Sequence, residues 1–226
     1  MMLALLTYSL GGKMAASFET RSYSLPTTLY VWTYLYIYSP QAPGARLSLL
    51  YYLNDGFAPY IAFGTGYVKT HDALVHAYRG YYDTTYYYDD LISTTIPVEV
   101  TLGARFVPHR GGNSLLYVSP AFTFIWISNK IQVKDSTVYV YRDTTWTDVS
   151  DTTYRFNGTI LSLPLSFGGE YFITDNASLG VEYGFNLVRF YRGIFALERG
   201  SDTSSTSGLE FLTPDGRFRL KATFYF

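Results

Sequence analysis

The stretch LSLPLSFGGEYFI at 161–173, the tripeptide TDN at 174–176 and ASLGVEYGFNLVRFY at 177–191 together decide the fold. In the second arm Ala177, Leu179, Val181, Tyr183, Phe185 and Leu187 take one set of alternate positions. Ser178, Gly180, Glu182, Gly184 and Asn186 take the other. The first arm repeats the pattern, with Leu161, Leu163, Leu165 and Phe167 set against Ser162, Pro164, Ser166 and Gly168. Strict period-two alternation marks a strand with one apolar and one polar face. The turn-forming Thr174-Asp175-Asn176 folds the arms into an antiparallel hairpin.

These arms are 13 and 15 residues long, whereas strands of soluble proteins usually run to about five or six. A tilted strand of about 10 residues crosses a bilayer. The apolar rows are therefore expected to face lipid, and the Gly, Ser and Glu rows to fill a narrow polar interior.

Composition bounds the alternatives. The 226 residues suffice for one domain, and a net charge of −1 gives no electrostatic reason to bind nucleic acid. The 24 Tyr exceed what one small core uses; interfacial girdles and Tyr/Thr-rich hairpins absorb such an excess. With no Cys there is neither a disulfide framework nor a thiolate metal centre. No apolar run reaches the length of a helical span. The mean hydropathy of +0.03 is uninformative, because alternation hides a lipid-facing row from any window average.

Residues 1–28 stand apart. MMLALLTYSL at 1–10 reads as a secretion-signal remnant, or as one arm of an extra hairpin turned at Gly11-Gly12 onto 14–21, where Met14, Ala16 and Phe18 oppose Ala15, Ser17, Glu19 and Arg21. The barrel is expected over 29–226, with Leu29–Tyr38 (LYVWTYLYIY) as its first strand. Leu47–Leu53, Pro59–Lys69, Ile96–Phe106, Leu116–Trp126, the two arms of 161–191 and Arg217–Phe226 follow. Short connections at Asn54-Asp55-Gly56, Pro108–Asn113 and Thr174–Asn176 alternate with long ones at His71–Asp90, 131–157 and 194–216. All long connections thus lie at one end, as in an up-and-down transmembrane barrel. The count is eight strands, or ten if residues 2–24 add a hairpin. An all-β closed antiparallel sheet is what hydrocarbon requires, since each unpaired backbone group there costs several kcal/mol.

APYIAFGTGYV at 58–68, GGEYFITDNASLGVEYGFNL at 168–187 and FRLKATFYF at 218–226 resemble the small bacterial outer-membrane β-barrels, the OmpA-like and OmpX-like barrel domains. The resemblance implies residence in the bacterial outer membrane as a monomer without cofactor. It implies outer-membrane lipid, lipopolysaccharide and the barrel-assembly machinery as partners, with short periplasmic turns and long extracellular loops. Leu220, Phe224 and Phe226, in step along the last strand, look like the signal which that machinery reads, although the strand lacks the glycine of the fuller pattern.

Ionisable groups inside a narrow barrel must be paired. Glu99, Arg105, Glu170, Glu182, Arg219 and Lys221 fall on polar faces, and Glu182 is expected to pair with Arg219 or Lys221. The cluster serves either as a salt-bridged core of a structural or surface-interaction protein, or as the lining of a narrow pore. Eight-stranded barrels are just wide enough for side chains, which favours the core. Pro97, Pro120 and Pro164 mark places where a ladder would break, and so where a small hydrophobic molecule would find a lateral opening.

In the long connections Asp83-Thr84-Thr85-Tyr86, Asp143-Thr144-Thr145-Trp146 and Asp151-Thr152-Thr153-Tyr154 form a near-repeat. Its high strand propensity predicts hairpins continuing past the membrane, with Tyr86, Trp146 and Tyr154 as candidate contacts to an external ligand. His71 and His76 lie near Asp72, Asp83, Asp89 and Asp90, the raw material of an acid–base pair in an outer-membrane hydrolase. No nucleophile motif accompanies them, so neither catalysis nor a metal site is expected. A soluble lipocalin-like carrier is the alternative of another class; charges on the would-be inner face speak against it.

Overall fold

The computed structural model describes residues 9–24, 29–31, 34–36, 41–79, 83–141, 144–197, 203–214 and 218–226. Its elements are all strands: β1 (Met14–Ser24), β2 (Leu29–Val31), β3 (Tyr34–Tyr36), β4 (Gln41–Tyr51), β5 (Phe57–Gly66), β6 (Val68–Arg79), β7 (Asp83–Gly111), β8 (Ser114–Tyr141), β9 (Thr144–Thr174), β10 (Ala177–Leu197), β11 (Thr203–Pro214) and β12 (Arg219–Tyr225). Antiparallel ladders join β1, β4, β5, β7, β8, β9, β10 and β12 in turn, and β12 pairs back onto β1. The ring therefore has eight strands.

One row of opposed residues runs around it: Gly180, Lys221, Glu19, Arg46, Gly64, Glu99, Ile125, Ile160 and Tyr191. The row leaves β10 at Gly180 and rejoins it at Tyr191, 11 residues further on, one of them the bulge between Asn186 and Val188. A stagger of about ten residues at ~3.3 Å each, against eight strands ~4.8 Å apart, tilts the strands by about 40°.

The alternation of the sequence becomes inside and outside. Ser162, Ser166, Glu170, Ser178, Glu182 and Asn186 point inward and are buried, while Leu163, Phe167, Leu179, Val181 and Leu187 are exposed. Phe63, Leu102, Phe122 and Leu220 continue that apolar belt around the ring. An exposed girdle of this extent is unsuited to water, and it inverts the arrangement of a soluble carrier.

The strand count agrees with the sequence reading, but its membership does not. Met14–Ser24, set aside in the segment 1–28, is a ring strand between β12 and β4. Leu29–Tyr38, expected to open the barrel, contributes β2 and β3 among its described residues, and these pair with each other. The reason is what a strand offers the interior. β1 turns Ala15, Ser17, Glu19 and Arg21 inward, whereas LYVWTYLYIY has bulky residues on both faces and no small or charged row. Gly11-Gly12 does turn the chain, with Gly12 at φ 80°, but directly into β1. Residues 1–8, expected to hold either a signal remnant or the first arm of an extra hairpin, lie outside the described residues, as does Arg217.

The long connections are strands rather than loops. β7, β8 and β9 run for 29, 28 and 31 residues, far beyond the ~10 that span a bilayer. Their outer halves form, with β6, upper β10 and β11, a six-stranded crown above the ring. The ladders are interrupted beside the three prolines: the β8–β9 register skips Ala121 and Phe122 opposite Leu163 and Pro164, and Pro97 has no partner on its β5–β6 side. Pro97 and Pro164 sit opposite irregularities in the neighbouring strand, at Gly66-Tyr67 and Leu187, and the ladder resumes on either side of all three. Bulges are where a sheet tolerates proline.

Packing inside relies on a recurrent pair. Tyr60 stands opposite Gly103, Tyr117 opposite Gly168 and Tyr191 opposite Gly208, and each ring lies across its glycine. A Cβ on Gly168 would come within 2.3 Å of the Tyr117 ring. Gly168→Val should therefore displace Tyr117 and destabilise the barrel by about 1–3 kcal/mol, read as a lower temperature for the heat-modified shift in gel mobility. An unchanged transition would show that the ring does not need the gap.

Candidate functional site

The interior is filled in tiers. At the short-turn end, Leu10 is fully buried against Leu50, Tyr52, Ala58, Leu115 and Tyr225. It is held there by Asp55 in the first short turn. That carboxylate accepts from the N–H of Leu10, the N–H of Gly11 (3.1 Å) and the hydroxyl of Ser9 (3.0 Å), and Arg110 Nη1 lies 3.4 Å away. The N–H of Gly12 donates to the Tyr52 carbonyl (2.7 Å) and the N–H of Tyr52 to the Lys13 carbonyl (2.9 Å). Residues 9–13 thus strap Leu10 into the mouth. Partial burial disfavours the charged carboxylate, but the donors from Leu10, Ser9 and Gly11, with Arg110, outweigh it and hold the Asp55 carboxyl below its usual range.

Above this lies an ionic tier. Arg105 Nη1 donates to Glu170 Oε1 (2.8 Å) and to the Tyr52 hydroxyl (3.0 Å), with its guanidinium 4.1 Å from the centre of the Tyr117 ring. Tyr225 (2.6 Å) and Ser178 (2.7 Å) donate to the other oxygen of Glu170. Glu182 accepts from Arg219 Nη1 (2.8 Å), from the Tyr117 hydroxyl (2.9 Å) and from Lys221 Nζ (3.4 Å), so it takes both expected partners. Glu99 receives Arg21 through two nitrogens, at 2.8 and 3.0 Å, and Thr101 at 2.8 Å. Arg46 lies 3.0 Å from Glu19 and 3.5 Å from Glu99.

All six charges expected inside are buried there: Glu99, Arg105, Glu170, Glu182, Arg219 and Lys221. Glu19, Arg21 and Arg46 complete the network; Glu19 and Arg21 lie on a strand that the sequence left between a signal remnant and an extra hairpin. The alternation of 14–21 was the signal for them. Four carboxylates (Glu19, Glu99, Glu170, Glu182) thus meet five cations (Arg21, Arg46, Arg105, Arg219, Lys221) among the described residues. Higher still, Ile127, Phe156 and Ile160 pack together with Ile125 and Tyr191.

Leu220, Phe224 and Phe226 are exposed on the outer surface. The proposed external contacts are not brought together. Tyr86 is in register with Val138 and Thr147, on the opposite face of the crown from Trp146, which stacks on Tyr139 at 5.5 Å. Tyr154 shares the face of Trp146 but lies eight residues along the strand; its burial, then the nearby Asp135 carboxylate, raises the pKa of its phenol. His71 pairs with Asp90 on the outside of the β6–β7 hairpin. The side chain of His76 is outside the described set, and His109 is exposed at the other end of the barrel.

No family model and no curated relative matches the sequence. Among solved structures the chain is similar to the outer membrane protein OprG of Pseudomonas aeruginosa, with 10% identity over 96% of each chain and a TM-score of 0.43. It is similar to Ail, the attachment invasion locus protein of Yersinia pestis, solved with the heparin analogue sucrose octasulfate, with 12% identity over 96% of this chain and 99% of that one and a TM-score of 0.42. The N-terminal β-barrel domain of Pseudomonas aeruginosa OprF gives 12% identity over 96% and 98%, with a TM-score of 0.34. The eight paired strands, and not these distant likenesses, carry the fold assignment.

Glu182→Gln keeps the shape but leaves Arg219 and Lys221 facing a neutral amide. Removing one partner of a buried ion pair costs about 3–5 kcal/mol, so the heat-modified mobility shift should move to markedly lower temperature; an unaltered shift would remove Glu182 from the network. The Asp55 clamp has a pH signature. Because its carboxyl titrates lower in the folded protein, its stabilisation is whole above the unfolded value of about 3.9 and fades as pH falls through the folded value. The protection of the Leu10 and Gly11 amides, taken relative to their intrinsic exchange rate at each pH, should fall on acidification over that window, and Asp55→Asn should show little protection at any pH.

Proposed function

We propose that this chain is an integral protein of the bacterial outer membrane whose bore is permanently filled, and that it acts through the crown outside the bilayer as a structural or surface-interaction component of the envelope. One observation carries the reading: Leu10, the ionic tier and the Ile127 cluster occupy successive levels of the interior. Solute passage would require breaking several charge-assisted hydrogen bonds at once.

The crown supports the second half of the proposal. Strands of 28 to 31 residues are far longer than anchoring demands, and they carry Tyr, Thr and Trp, residues suited to broad, low-entropy contact. The half-exposed Trp146, stacked on Tyr139, is its clearest anchor. Insertion of the purified protein into planar bilayers should give no steady conductance. Stable ohmic steps would overturn the filled-bore reading and favour a narrow pore.

A further inference from the structure

Above the ring the sheet keeps two faces, and they differ in charge. Ser93, Asn129 and Phe156 are buried inside, and the positions in step with them on β7, β8 and β9 continue the inner face upward to Asp83, Tyr141 and Thr144. Those alternate positions hold Asp83, Asp89, Asp135 and Asp148 and neither Lys nor Arg. The cations of the same spans, Lys130, Lys134 and Arg155, all take the other set. Over these strands the inner face of the crown is acidic.

On that face one carboxylate stands beside an aromatic platform. Trp146 on β9 is in register with Tyr139 on β8, and Tyr139 with Thr85 on β7. One face of the indole stacks on the Tyr139 ring at 5.5 Å, yet Trp146 stays 50% exposed. Asp148 follows on the same face of β9, about 7 Å further along, with Thr137 and Tyr87 in its row. It is exposed and, among the described residues, joins no ion pair. An open indole next to such a carboxylate suits a cation, because the ring quadrupole and the negative charge attract it together.

The spread of the acidic positions says which kind of cation. Asp83, Asp89, Asp135 and Asp148 occupy three different rows, and no three carboxylates or imidazoles among the described residues converge as ligands of a metal ion. Alternate residues of an extended polypeptide also lie about 7 Å apart, which is the spacing of the rows. Side-chain cations carried at strand spacing therefore match the face.

We propose that the inner face of the crown is a docking surface for an extended basic polypeptide segment, with an arginine side chain stacked on Trp146 and paired with Asp148. The site rests on the reading of the crown as the interacting part of the molecule and names the chemistry of its partner. A planar guanidinium both stacks on an aromatic face and bonds a carboxylate.

The test is fluorescence anisotropy of a labelled peptide of alternating arginine and serine, titrated with the folded protein in non-ionic detergent. Binding should saturate and should weaken with added salt. Trp146→Ala should weaken it about three- to thirtyfold and Asp148→Asn about two- to fivefold. Asp151 is exposed on the opposite face of the same strand, in register with Lys134, so Asp151→Asn changes the net charge equally and should leave binding unchanged. Undiminished binding by Trp146→Ala or Asp148→Asn overturns the site, and so does a loss in Asp151→Asn equal to that in Asp148→Asn, which would reduce it to long-range attraction. Equal binding of a peptide of alternating glutamate and serine overturns the charge assignment, and competition by spermidine as effective as that by unlabelled peptide overturns the assignment to a polypeptide. Trp146 lies above the ring, so its variant should keep the folded gel mobility; if it does not, Asp148→Asn against Asp151→Asn decides alone. Ohmic steps in bilayers would sink the filled bore and leave this surface standing, whereas unaltered binding by the variants sinks the surface alone.

Discussion

Hydrocarbon offers no partner to a peptide group, and the eight-stranded ring is the answer to that single constraint. Its closure depends on the seam where β12 pairs with β1, which joins residues about two hundred positions apart in the chain, from Ala15 with Tyr225 to Glu19 with Lys221. The seam is also where the charge network begins, since Glu19 stands between Lys221 on one side and Arg46 on the other. A ring of eight strands leaves no room for anything but side chains. Closing the sheet and filling the bore are therefore one act.

The ionic filling explains register better than it explains stability. Burying ion pairs gains little over packing apolar groups of equal size. A slip of one residue, however, would turn Glu19 and Arg21 toward lipid and Phe18 toward the charges, because strand side chains alternate. Each charged residue inside is thus a penalty against every wrong pairing. The Tyr–Gly pairs act in the same sense, since Tyr117 fits only opposite Gly168 and Tyr60 only opposite Gly103.

Period-two alternation made the outer and inner rows legible from the residues alone, and with them the six interior charges and the pairing of Glu182. What escaped was whatever depends on comparing distant strands. Leu29–Tyr38 looked like the better first strand because β-propensity is a local property, while the need for a small, charged inner row is imposed by neighbours. Tyr opposite Gly is invisible until register is known. The clamp of Asp55 on Leu10 joins residues 45 apart, and neither carries a local mark of it. Tyr86 and Trp146 share a tripeptide context but sit on opposite faces of one sheet, which repeat similarity cannot reveal.

The same constraint explains why the molecule changes character above the belt. Among the described residues β1 ends at Ser24 and β4 begins at Gln41, each an 11-residue strand, and those lengths match the depth that lipid demands. Higher up, the sheet opens. Among the described residues β6 pairs only with β7 and β11 only with β10, leaving two edges that water can satisfy. Such edges invite pairing with other chains unless they are made unattractive. Lys69 and His71 on β6, and the Ser, Thr and Gly run of β11 with Pro214 at its end, supply charge, polarity and a missing donor there. Lipid enforces closure below and solvent permits openness above, so the constraint that fixes the ring does not extend to the crown.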